Sequence, residues 1–217
     1  MMALSLLSIA LCFIPLAAVF LGIALLAKDF KIRYGLFACA LGLAAVIPIA
    51  VIQVLSQDFF EAKTLGMVFI RALLFNGLIE ESIKTLIFFL MPAKKLELKN
   101  FFHCAVLSGM ALACFESLLY LISGYEHIGL RMGTAVIIHA VCGGLGGLFV
   151  YSVKAKQLRI FPFLYAVMLH GIYNYFAGLG RDTVYFYLAF AVILLAIAEC
   201  RVQYLKIKTC LYGKTVL

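Results

Sequence analysis

Three charged residues lie within a long apolar stretch of the chain and are the first candidates for chemistry. Glu80, Glu81 and Lys84 belong to the sequence NGLIEESIK at 76–84, inside an apolar run from about residue 66 to residue 91. A charge near the centre of a bilayer costs about 2.5–3.5 kcal/mol on insertion scales, so such residues usually face a protein interior and serve a function. Because three or four residues separate each glutamate from Lys84, either carboxylate can pair with the ammonium. The stretch predicts a buried ion pair between helices, or a glutamate that acts as a general base toward water.

Each of the next three predicted helices also carries an ionisable residue. These residues are Glu116, His139 and His170, and Asn174 follows His170 by one helical turn. At a rise of 1.5 Å per residue, Glu80, His139 and His170 fall near the middle of their helices, with Glu116 and Asn174 about one turn away. The side chains can therefore meet at one level of a bundle. There a histidine could donate to an oxyanion or bind a metal. Asn174 could orient the histidine ring or donate to the oxyanion. Glu116 could be a metal ligand, a partner of a protonated histidine, or a second acid or base.

Metal binding stays open at this point. Two histidines and one or two carboxylates could hold a catalytic zinc with an open position, and the candidate ligands are His139, His170, Glu80 and Glu116. The sequence contains neither HExxH nor another helical pair of histidines, so the ligands would have to come from separate helices. A glutamate–histidine site without metal explains the same residues.

The composition identifies an all-α, polytopic membrane protein. Of the 217 residues 66% are hydrophobic and 13% charged, which excludes a soluble domain with one core. A helix needs about 20 apolar residues to cross the hydrocarbon. We predict seven transmembrane helices near residues 4–27, 35–56, 66–92, 101–123, 132–152, 160–179 and 183–204. They form one integral membrane domain, 1–217, in which 1–60 provides supporting helices and 66–179 the catalytic core.

The net charge of +8 reflects membrane topology rather than nucleic-acid binding. Thirteen of the 18 Lys and Arg residues follow the first, third, fifth and seventh predicted helices, and the alternate loops hold only three. Basic residues favour the cytoplasmic side, so we expect the N-terminus outside and the C-terminus in the cytoplasm. The lipid bilayer is the expected partner, and nucleic acid is not. The seven cysteines include no CxxC pair, and we interpret them as small buried hydrophobes rather than as disulfides or a metal cluster.

The order of these motifs resembles the PrsW family of intramembrane proteases, within a wider group that includes the type II CAAX prenyl endopeptidases. Residues 80–84 resemble the EExxK signature, and 109–120 resemble a glycine-led helix that ends in a glutamate motif. Residues 131–143 resemble the third block and 170–174, HGIYN, the last. The resemblance covers about residues 76–178, with each block on its own helix.

The resemblance implies a set of catalytic residues. In that family the motif glutamates and histidines are taken as the catalytic set, and activated water attacks a peptide bond in or beside the membrane. Carried onto this chain, Glu80 or Glu81 would activate the water, and His139 and His170 would stabilise the oxyanion or hold a metal. Glu116 would belong to the catalytic set as an assisting residue, and the residues in supporting roles would be Lys84, Arg131 and Asn174.

Two positions separate the chain from the CAAX endopeptidase branch. That branch typically has arginine in the first motif and histidine at the later glutamate, so Lys84 and Glu116 favour the PrsW side. The chain departs from the common PrsW pattern at 96–100, LELKN, where an acidic segment is frequent, and at Ser117, where asparagine is frequent. These departures bear on substrate choice more than on reaction class.

We therefore expect an intramembrane endopeptidase of a bacterial or archaeal cytoplasmic membrane. By the resemblance its substrate is a membrane-anchored protein such as an anti-sigma factor, and a divalent metal such as zinc is a candidate cofactor. Two alternatives stay open from the residues themselves. Buried Glu, Lys and His also serve proton relays, which fits a proton-coupled transporter. A non-catalytic scaffold could bind membrane partners through the same polar core.

Overall fold

The structure is a computed structural model that describes residues 6–56, 64–124 and 127–212, and these ranges are helical without any strand. The helices are α1 (Leu6–Leu26), α2 (Ile32–Ser56), α3 (Leu65–Arg71), α4 (Glu80–Phe88), α5 (Leu98–Ile122), α6 (Ile128–Lys154), α7 (Phe161–Gly178) and α8 (Leu188–Tyr212). A π-helical segment, Ala72–Ile79, joins α3 directly to α4, so the described ranges contain seven helical rods. The predicted all-α polytopic class is confirmed.

Five helical stretches are long and apolar enough to cross a membrane. They lie at Leu7–Leu26, Ile32–Leu55, Leu98–Ile122, Ile128–Lys154 and Val184–Leu211. The other two rods are the one that contains the π-helical segment and α7. The first of these is divided into α3, the π-helical segment and α4, which have 7, 8 and 9 residues. These two rods carry Glu80, Glu81, Lys84, His170 and Asn174, whereas Glu116, Arg131 and His139 lie on the spanning helices α5 and α6.

The helix predicted over 66–92 contains the π-helical segment Ala72–Ile79, and it ends earlier than predicted, at Phe88. A π-helix bonds residue i to i+5 and changes the rotation of the residues that follow, and such segments are frequent at functional sites. A Cβ on Gly77 would lie 2.5 Å from the carbonyl oxygen of Val167, and one on Gly171 would lie 2.8 Å from Cα of Leu73. The π-helical segment therefore packs backbone against backbone on α7, immediately before the two glutamates.

A second close backbone contact joins α5 to α6. A Cβ on Gly143 would lie 2.8 Å from the carbonyl oxygen of Ala105, and one on Gly109 would collide with the carbonyl oxygen of His139. Small residues permit such close approach between membrane helices, and Gly143 and Gly147 of α6 have the GxxxG spacing typical of these contacts. The contact fixes the position of His139 along the axis of the bundle relative to α5.

The remaining helices surround this centre. The first helix packs mainly on α5, and Pro15 and Pro48 lie inside α1 and α2. The last helix continues past its predicted end at residue 204, because Ile207 packs against Leu98 and Leu148 in a buried cluster. Residues 1–5 and 57–60 of the predicted supporting segment lie outside the described ranges, and the division into support and catalytic core stays a prediction.

Candidate active site

Glu80, His139 and His170 meet in a buried centre between α4, α6 and α7. Oε1 of Glu80 lies 3.3 Å from Nδ1 of His139 and 3.9 Å from Nδ1 of His170. The two imidazole rings are edge to face, with centroids 4.6 Å apart. The three residues are 1%, 3% and 0% exposed, respectively. The structure thus brings together the three residues that the helical rise placed at one level.

His170 is held in position by Glu81. Its Nδ1 lies 2.6 Å from Oε1 of Glu81, and Nζ of Lys84 donates to the same oxygen at 2.5 Å. The Lys84 ammonium is farther from Glu80, at 3.9 Å. Because an ionised carboxylate can only accept, this bond places the ring proton on Nδ1. Nε2 of His170, which is buried and has no hydrogen-bond partner, then carries a lone pair.

His139 contacts Glu116, as His170 contacts Glu81. Its Nε2 lies 3.0 Å from Oε2 of Glu116, and Nη2 of Arg131 pairs with that oxygen at 2.7 Å. The Arg131 guanidinium also stacks on the ring of Tyr120, 3.9 Å from its centroid. Glu116 is thus positioned by Arg131 and cannot turn toward Glu80 without breaking this ion pair. Nδ1 of His139 faces Glu80 and makes no hydrogen bond.

These contacts fit a divalent metal ion. Each histidine has one nitrogen within 3.0 Å of a carboxylate that a cation neutralises, an arrangement typical of metal-bound histidines. The buried atoms without a hydrogen-bond partner include one on each residue of the centre: Oε1 of Glu80, Nδ1 of His139 and Nε2 of His170. One ligand atom from each of these residues lies within 4.8 Å of the others. Buried lone pairs without a donor are costly, and a cation would satisfy them.

Asn174 is hydrogen-bonded to the backbone of His170 in the structure, not to its ring, so the roles predicted for its side chain stay predictions. Its Nδ2 donates to the backbone carbonyl oxygen of His170 at 3.2 Å. A short polar side chain on a helix can donate to the backbone carbonyl one turn earlier, and Asn174 makes this local bond. Thr134 and Tyr173 lie inside the third and the last motif block, but the sequence indicated no role for either. Their hydroxyl groups are hydrogen-bonded at 2.9 Å and link α6 to α7.

Comparison with known proteins agrees with this geometry. Residues 31–198 match the profile of the family described as PrsW family intramembrane metalloprotease. The chain belongs to the PrsW family. The match contains every predicted site residue and extends beyond the predicted core of 66–179 into α2 and α8.

A curated member of the PrsW family provides a direct comparison. Protease PrsW of Oceanobacillus iheyensis is 31% identical over 144 residues, which cover 62% of this chain and 66% of that protein. The chain therefore matches slightly less than two thirds of that relative. No solved structure matches the chain significantly.

Proposed function

We propose that the protein is an intramembrane endopeptidase that activates water at Glu80, His139 and His170. Three residues that meet in a buried centre, each with one buried polar atom that has no hydrogen-bond partner, carry the proposal. A transport pathway does not require that both histidines be fixed by separate carboxylates, whereas a hydrolytic centre needs its groups held in position. Membership of a family described as intramembrane metalloproteases supports the same reaction class.

The two adjacent glutamates have different roles in this proposal. Oε1 of Glu81 is engaged by Lys84 and by His170, so Glu81 orients the histidine. Oε1 of Glu80 has no hydrogen-bond partner and faces both imidazole rings. Glu80 is therefore the carboxylate that accepts the proton of the attacking water. Glu116 acts on His139 as Glu81 acts on His170.

The donor set also names the residues that would hold a metal. These are His139 through Nδ1, His170 through Nε2 and the carboxylate of Glu80. A divalent cation such as zinc, when bound there, would polarise the peptide carbonyl and make water more acidic. The contacts of His139 with Glu116 and of His170 with Glu81 would hold the two rings and leave Nδ1 of His139 and Nε2 of His170 free to bind it. The Arg131 and Lys84 cations offset the charge of those two carboxylates.

The proposed substrate is a membrane-anchored protein, and an anti-sigma factor is the class that the family resemblance favours. Because Glu80 and both histidines are buried among membrane helices, the scissile bond must come to them within or beside the bilayer. A peptide bond in an intact helix is shielded by its own turns, so the substrate must unwind locally. The predicted topology puts the C-terminus in the cytoplasm of a bacterial or archaeal cell.

Comparison of protein N-termini in cells that express the wild type and Glu80→Gln at equal levels tests the proposal. We expect new termini inside or beside transmembrane segments only with the wild type. The exposed Glu97 has no side-chain bond at the start of α5, so Glu97→Gln is a matched control that should preserve the termini. If both folded forms give the same termini, proteolysis at this centre is wrong, and flux measurements in vesicles become the next test.

A further inference from the structure

A cavity lies beside the buried centre, where α5 and α7 end and α6 and α8 begin. It has a volume of about 210 Å³. Its walls include Tyr120, Arg131, Thr134, Asn174, Ala177 and Phe190. The catalytic candidates are almost completely covered, so a peptide bond needs a route to reach them. This cavity shares Arg131 and Asn174 with the surroundings of the centre, whereas the space beside Glu81 and Lys84 measures only about 10 Å³ and is too small for a peptide segment.

One ion pair separates the cavity from the histidines. Arg131 lines the cavity and pairs with Glu116 at 2.7 Å, and Glu116 lies 3.0 Å from His139. On the opposite wall Asn174 lines the cavity one helical turn after His170. Both histidines are therefore within one or two side chains of this space. A chain segment bound there would lie on the opposite side of this ion pair from His139.

The walls suit an unwound stretch of polypeptide. Tyr120, Phe186 and Phe190 provide aromatic surface, and Ala177 leaves room beside them. Nε of Arg131 is buried and has no hydrogen-bond partner. An unwound peptide in a membrane protein must find partners for its backbone groups, since lipid offers none. The guanidinium can donate to a peptide carbonyl while the aromatic rings cover an apolar side chain.

We propose that this cavity binds the substrate segment adjacent to the scissile bond, in unwound form and with an apolar side chain between the aromatic walls. This inference rests on the proposed endopeptidase function and adds a substrate class to it. The substrate is a membrane protein in which a helix end that unwinds easily carries a large apolar side chain near the cleaved bond. Arg131 thus has two functions, as the partner of Glu116 and as a donor to the bound chain.

Photo-crosslinking in the inactive Glu80→Gln background tests where the substrate binds. A small diazirine-bearing residue replaces Ala177 in one variant and Ala191 in the control. Ala191 lies near the start of α8, at the same end of the bundle, but is exposed on the outer face. We expect position 177 to crosslink to segments within a few residues of the new termini that the wild type generates. Position 191 should give no enrichment of these segments.

A size variant tests which side chain the cavity accepts. Ala177 is partly exposed, so Ala177→Leu can fold while it narrows the cavity. We expect cleavage beside large apolar side chains to fall at least about tenfold relative to cleavage beside small ones, because pockets discriminate by such factors per unfavourable group. Ala191→Leu should leave the ratio unchanged. Equal ratios in both variants would contradict the assignment of the cavity.

The outcomes separate this inference from the proposed function. New termini with the wild type, together with crosslinks that favour position 191 or lie far from the cleaved bonds, would reject the cavity as substrate site and leave the endopeptidase proposal intact. If the wild type gives no new termini relative to Glu80→Gln, the endopeptidase proposal fails, and the inference fails with it. Membrane yield and a single elution peak show that each variant is folded.

Discussion

Nδ1 of His170 lies 2.6 Å from Oε1 of Glu81, whereas Oε1 of the preceding Glu80 lies 3.9 Å from that nitrogen and makes no hydrogen bond. Two neighbouring carboxylates on one helix therefore have different surroundings. One is held by a histidine and a lysine, and the other faces two imidazole rings. This difference is the basis for assigning proton transfer to Glu80 and orientation of His170 to Glu81.

Glu80→Gln and Glu81→Gln should differ in severity. Loss of a general base costs about 100-fold to 10,000-fold in rate, so Glu80→Gln should abolish detectable cleavage. The amide oxygen of Glu81→Gln can still accept from His170, and loss of such an orienting carboxylate costs about 10-fold to 100-fold. Rates with purified protein and an identified substrate check the order. If Glu81→Gln lowers the cleavage rate more than Glu80→Gln does, then Glu81 is the general base and Glu80 the orienting residue.

Metal content should depend on the two histidines of the centre. Removal of either ligand, by His139→Ala or His170→Ala, should lower the metal bound per protein together with activity. His103 lies on α5 against Phe30 and Phe102, so His103→Ala is the matched control and should keep both. Elemental analysis after chelation and dialysis measures the metal. Full activity in a metal-free preparation would reject the metal-dependent version and leave the glutamate–histidine version.

Glu116 and Arg131 should be energetically coupled. Their ion pair is partly buried, because the Glu116 side chain is 21% exposed. Breaking an exposed pair costs up to roughly 1 kcal/mol of unfolding free energy, and breaking a fully buried pair costs about 3–5 kcal/mol. Each single variant should lose an amount between these two values. The double variant Glu116→Gln with Arg131→Gln should cost less than the two single variants added together, because neither charge is then left alone. Thermal unfolding in detergent gives the values. Additive losses would show that the pair is not coupled.

Gly109→Ala should shift His139 along the axis of the bundle relative to α5. The added methyl group would collide with the His139 carbonyl oxygen, and overpacking of this kind costs about 1–3 kcal/mol or more. Gly133 also lies in a helix, but a methyl group added there would meet no atom within 4 Å, so Gly133→Ala should be neutral or stabilising by up to about 1 kcal/mol. Unfolding temperature and cleavage rate check both. Equal effects of the two substitutions would contradict the close contact between α5 and α6.

The amino-acid sequence by itself determined the membrane class, the seven helical rods of the described ranges and the common level of Glu80, His139 and His170 in the bundle. Apolar stretches of spanning length require helices in lipid, because backbone groups must bond within the segment. The rise per residue is fixed, so counting along each helix placed Glu80, His139 and His170 at one level. The order of the four motifs also indicated the PrsW family, which the profile match over residues 31–198 established.

Only the tertiary structure decided which partners these side chains have. Spacing along α4 allowed Lys84 to pair with either glutamate, and the choice of Glu81 depends on where α7 places His170. That placement depends in turn on the π-helical segment and on the contact of Gly77 with the backbone of Val167. The rotation of one helix against another results from packing between residues distant in the chain. Periodicity within a single helix contains no information about that rotation.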